Sequence, residues 1–128
     1  MFRQDYILRL IEEFARRVGR VLQLLRQGDL DDADREIALA EQAIGVPPGL
    51  EQIDAASAAM VLGNGDKVIL LARLTELRAE EADARGATAD AARHRARAMA
   101  LLDRATPLEL TQEAADLRQR LAARQPAT

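Results

Sequence analysis

Apolar residues recur through the first fifth of the chain with a helical period. Ile7, Ile11, Phe14, Val18, Val21 and Leu25 are separated by alternating steps of four and three, which puts them on one seam of a helix over 4–27. Leu8, Leu10, Leu22 and Leu24 flank that seam, so apolar surface covers more than half the circumference. A helix this apolar has to be covered on more than one side, by the other helices of the chain or by a second chain. The pattern makes this first helix the element around which the rest is organised.

The remaining pattern predicts five further helices. Gly28 suits a left-handed C-cap, and Asp29 follows as the N-cap of a second helix ending near Ile44. Leu30, Ala33, Ile37, Ala40 and Ile44 form its stripe, and Gly45-Val46-Pro47-Pro48-Gly49 breaks it. Residues 50–62 read as one shorter helix with Leu50, Ile53, Ala56 and Met60 on its stripe. Gly63-Asn64-Gly65 is a turn, and Asp66 is placed to cap a helix over 67–85. The first half of that helix, Val68 to Leu71, is apolar all round. Its second half, with Glu76, Arg78, Glu80, Glu81, Asp83 and Arg85, reads as a solvated surface. Gly86 ends it, and Thr88 caps a fifth helix to about Arg104 whose apolar positions are mostly alanine. Thr106-Pro107-Leu108-Glu109 has the form of a helix start, with Pro107 at the first helical position. Leu110, Ala114, Leu117 and Leu121 line the sixth helix. Residues 1–124 therefore read as one helical domain and 125–128 as a frayed tail.

Composition supports a wholly helical chain. Of 128 residues 48% are hydrophobic but only 2% aromatic, and alanine makes up much of the difference. Strand-favouring residues are sparse. There is no cysteine, which removes disulfides, thiol catalysis and thiolate metal sites. No signal peptide is visible, and no stretch approaches the ~18 uncharged apolar residues that would span a bilayer. The expected location is the cytoplasm, with no membrane partner. The net charge of −3 conceals an asymmetry: residues 1–27 carry six arginines, whereas 28–54 carry eight acids against Arg35 alone. Segments of opposite sign favour packing side by side. Nucleic acid is not an expected partner, because the domain is not strongly basic.

Candidate chemistry is scarce. His94, the only histidine, lies in Arg93-His94-Arg95-Ala96-Arg97 and reads as an exposed residue on a charged face. The acids from Asp29 to Glu36 lack the glycine and glutamate of a calcium loop. Gly63-Asn64-Gly65-Asp66-Lys67 is not a phosphate loop. No catalytic, cofactor-binding or metal-binding residue is assigned, and the protein is not read as an enzyme.

Two helix-turn-helix junctions look alike. Gly28 is followed by Ala33 and Ala40 at five and twelve positions, and Gly86 by Ala91 and Ala98 at the same distances. These junctions resemble the turn and second helix of a tetratricopeptide repeat, a helix pair of about 34 residues whose small residues let helices cross closely. The opening Phe2-Arg3-Gln4-Asp5-Tyr6-Ile7-Leu8-Arg9-Leu10-Ile11-Glu12 resembles the start of an uncharacterised bacterial family of small tetratricopeptide-like proteins, which begin Asp-Tyr-Ile-x-Arg-x-Ile. That resemblance implies an array of antiparallel helical hairpins, about six helices in all, and brings no activity with it.

The resulting expectation is a non-enzymatic protein-interaction module. A homodimer is the leading assembly, with another protein or a peptide as the other occupant. Tyr6, Ile7, Ile11, Phe14, Val18, Val21, Leu71, Leu74 and Leu77 are the candidate interaction surface. The alternative is a small regulatory nucleic-acid-associated protein that uses Arg93, Arg95 and Arg97.

Overall fold

The computed structural model describes residues 2–124, with side chains from residue 5 onward; the frayed tail expected over 125–128 lies outside the described residues. Six α-helices follow one another: α1 Phe2–Gln27, α2 Leu30–Ala43, α3 Ala55–Leu62, α4 Gly65–Ala84, α5 Thr88–Asp103 and α6 Thr111–Ala123. No strand occurs among the described residues. Gly28 and Gly86 both adopt the left-handed conformation, at φ 78° and 79°, and end α1 and α4 as their positions predict. Ala33, Ala40, Ala91 and Ala98 have no exposed surface, so all four alanines of the two junctions are interior.

The centre of the molecule is α4, not α1. It packs against each of the other five helices. α1 lies beside α2 and α4, while α5 lies beside α4, α3 and α6. α1 and α2 run antiparallel, as the approach of Arg17 to Glu36 and of Leu10 to Ile44 shows. Val68 through Ala72, Leu74 and Leu77 are all buried, which is the all-round apolar half expected of this helix.

The second half of α4 is not a solvated surface. Glu76 and Glu81 are buried, at 5% and 8% exposure. Glu76 accepts two hydrogen bonds from Arg120 of α6, both at 3.0 Å, and also pairs with Arg73. Asp83 pairs with Arg95 of α5 and with Arg124. On the opposite side Arg78 donates to Glu41 at 2.7 Å and Asp34 at 2.9 Å, and Arg85 reaches Asp31 at 2.9 Å. Charges seven residues apart on α4 thus face α6 and α5 with acid and α2 with base. The acids of α2 therefore meet α4 more than the basic α1, which among the described residues reaches only Glu36, through Arg17 and Arg20.

Several element boundaries differ from expectation, and Thr88 is the first residue of α5 rather than its cap, which is Ala87. Residues 50–62 are two pieces, a single 3-10 turn at Leu50–Gln52 and then α3. Ile53 and Asp54 are extended between them, and the Asp54 carboxylate caps α3 by accepting from the Ser57 N–H at 3.2 Å. α4 is capped by Asn64, which accepts from the Lys67 N–H at 3.0 Å, rather than by Asp66. Asp66, 3% exposed, instead accepts the N–H groups of Leu108, Glu109 and Leu110 at 3.0–3.1 Å. That carboxylate performs the role expected of Thr106, and α6 begins only at Thr111. The 106–110 segment lies so close to α4 that a Cβ on Gly65 would stand 2.0 Å from the Thr106 carbonyl oxygen, so position 65 admits only glycine. Leu110, Leu117 and Leu121 then seat α6 on the core as its stripe predicts.

Candidate interaction surface

α1 carries two parallel apolar rows rather than one seam. Ile7, Leu10, Phe14, Val21 and Leu24, at steps compatible with a 3-4 repeat, are buried against the rest of the chain. Leu8, Ile11, Ala15, Val18, Leu22 and Leu25 form a second row at strict alternating steps of three and four. That row is only half covered: Leu8 is 42% exposed, Ala15 is exposed, and the other four are partly buried. The seam expected from the sequence straddles both.

Ile11, Ala15 and Val18 of the second row, with Phe14 of the first, form one wall of a groove of about 360 Å³. Ile11, Phe14 and Val18 of α1 face Ile69 and Leu70 of α4, and Leu110 closes the end nearest α6. Glu113 and Asp116 stand on the α6 rim, and Arg73 and Arg120, both tied to Glu76, form the polar margin. α6 is a wall of this groove because the Asp66 carboxylate and the Glu76–Arg120 pair hold it against α4. The solvent side of α1 is basic, with Arg9 and Arg16 exposed.

The structure brings Ile11, Phe14 and Val18 together at this groove. Tyr6 stands beyond its end, 54% exposed, with the Lys67 ammonium 5.5 Å from the centre of its ring. Ile7 lies at the edge of the interior. Val21, Leu74 and Leu77 have no exposed surface, and Leu71 is 5% exposed, so these four serve the chain's own core. The accessible apolar surface of α1 is narrower than expected and includes Leu8 and Ala15, while the buried side chains of Ile69, Leu70 and Leu110 line the groove. The 3-4 spacing of Leu8, Ile11, Ala15 and Val18 was the signal for Leu8 and Ala15. Nothing in the local sequence marks Leu110 as a neighbour of α1.

A second concavity, of about 310 Å³, lies between the end of α2, the 50–52 turn, α4 and α5. His94 lies here, half-buried rather than on an open face. Burial pushes its imidazole below the ordinary histidine range, and the guanidinium charges of Arg78, Arg93 and Arg97 push it further. Burial also works against the charge on Arg78, but the hydrogen bonds and charges of Glu41 and Asp34 outweigh it and hold that pKa above the usual arginine value. Arg97 donates to the carbonyl oxygens of Ile53 and Leu50 at 2.7 and 3.0 Å and so ties the 50–53 connection to α5. Arg95 points elsewhere, to Asp83, and Arg93 pairs with Asp90.

Among the described residues no group of three histidine, aspartate or glutamate side chains is arranged to hold a metal ion, and no helix is long and apolar enough to cross a membrane. No family model matches the chain, and neither does a curated protein or a solved structure.

Proposed function

We propose that the chain is a non-enzymatic protein-interaction module of the cytoplasm, a tetratricopeptide-like array that self-associates through the half-covered face of α1. One observation carries this reading. The row Leu8, Ile11, Ala15, Val18, Leu22, Leu25 keeps a heptad-like repeat over five steps while remaining only partly covered by its own chain. Apolar positions in such a repeat are what helix–helix contacts between chains use, and sizeable uncovered apolar patches are uncommon on monomers. A symmetric dimer needs one self-complementary patch, and a single helix face supplies one. The succession of contacts supports the array reading: α1 with α2, α2 with α4, α4 with α5, α5 with α6, and α1, α4 and α6 side by side through α4. The arginine-helix alternative has less support, because Arg95 is tied to Asp83 and Arg97 to two carbonyl oxygens.

The test is the double variant Leu8→Glu/Ala15→Glu, which places two charges on exposed positions of the row. Sedimentation should find it monomeric at concentrations where the parent chain is dimeric, with unchanged helical circular dichroism. A folded variant that sediments as the parent does would refute self-association through this face.

A further inference from the structure

We propose that the cleft between α2, the 50–52 turn, α4 and α5 binds an organic monoanion, a carboxylate carrying a short apolar tail. The cleft has two unlike parts. Its floor is apolar, from Val46, Leu50 and Leu71. Its rim is polar and mostly basic, from Arg93, His94 and Arg97. An anion with a hydrocarbon tail matches both at once, and a cleft of about 310 Å³ suits a small molecule or a chain end.

The balance of charge inside the cleft singles out Arg97. Arg78 is answered by Glu41 and Asp34, and Arg93 by Asp90. Arg97 is held by two backbone carbonyls, which take up N–H groups but bring no negative charge. Among the described residues no carboxylate lies within ion-pair distance of it. A guanidinium has five N–H donors in a fixed fork. Tethering by two of them aligns Arg97 while others stay open to a ligand. Glu51 stands on the same cleft, and its charge together with that of Glu41 disfavours a dianion such as phosphate. After burial, the positive field of Arg78, Arg93 and Arg97 is what lowers the proton affinity of His94. An anion bound there would reverse that effect.

The same chemistry has two sources, a free short-chain acid and the C-terminal carboxylate of a peptide. His94 is the only histidine of the chain, so its ring-proton resonance reads this cleft alone. The experiment titrates the full chain at constant ionic strength with hexanoate, hexanol, phosphate, and a short apolar peptide with either a free or an amidated C-terminus. The expected result is a saturable His94 shift and a raised His94 pKa with hexanoate and the free peptide, and neither with hexanol or the amidated peptide. A peptide that saturates at lower concentration than hexanoate identifies a chain end as the ligand; the reverse identifies the free acid. Arg97→Gln should weaken binding about tenfold or more, the scale of one charge-assisted hydrogen bond. Arg97 also tethers 50–53, so Glu51→Gln provides the independent arm and should tighten binding. A shift that does not saturate, phosphate binding as well as hexanoate, hexanol matching hexanoate, or a Glu51→Gln variant with unchanged affinity would overturn the proposal.

Discussion

Asp66→Ala removes the one carboxylate on which three successive backbone N–H groups converge. Those donors are not equivalent. Leu110 is 5% exposed, so its N–H has no water to turn to, and an orphaned buried donor costs about 2 kcal/mol. Leu108 and Glu109 are exposed, so each loses only the net value of its bond, about 0.5 kcal/mol. The expected destabilisation is therefore about 3 kcal/mol, a large part of the roughly 5–15 kcal/mol that holds a domain together. Asp66→Asn retains one acceptor oxygen and should cost about half as much. Urea unfolding followed by circular dichroism measures both, and amide exchange at Leu117 and Leu121 should accelerate first, because α6 loses its anchor. An Asp66→Ala chain within about 1 kcal/mol of the parent would show that Leu117 and Leu121 alone seat α6, and that the carboxylate does not define the groove wall.

Gly19 lies mid-helix with open space above its missing Cβ, so Gly19→Ala should stabilise the chain by about 0.5–1 kcal/mol in thermal or urea unfolding; destabilisation would mean that another surface covers it. Arg120→Ala should cost about 1–2 kcal/mol, because buried Glu76 keeps only Arg73, whereas Arg35→Ala, whose pair with Asp32 is exposed on both sides, should leave the urea midpoint unchanged. The Glu80 carboxyl is pushed up, first by burial and then by the charge of Glu76. Its protonated form is therefore favoured in the folded chain, and stability is lost as pH rises through the raised value. Glu80→Gln should raise the melting temperature at pH 7, and that advantage should vanish below the ordinary glutamate range, where both states are protonated.

Helix number, the two glycine junctions and the stripe of α6 were legible from spacing alone, because each depends on local period and backbone conformation. What was not legible depends on partners far away in the chain. The charges of α4 looked solvated because Glu76 and Asp83 answer arginines more than forty and twelve residues further on, and Arg78 and Arg85 answer acids on α2. Asp66 looked like a local cap because aspartate before a helix usually is one, yet its burial depends on Gly65 letting the 106–110 segment approach. On α1 both apolar rows fit a helical repeat equally well. Only the positions of α2 and α4 decide that Leu10, Val21 and Leu24 go inside while Leu8 and Ala15 stay accessible. His94 looked exposed because the 50–53 connection that shelters it is held by Arg97, a contact across more than forty residues.

The mass of the parent chain by light scattering, taken across a wide range of concentration, tests self-association through α1 most directly. The account predicts about 28 kDa, twice the 14.0 kDa chain, with dissociation on dilution. A constant 14 kDa at every concentration would contradict it and leave the groove of α1, α4 and α6 open for a different protein.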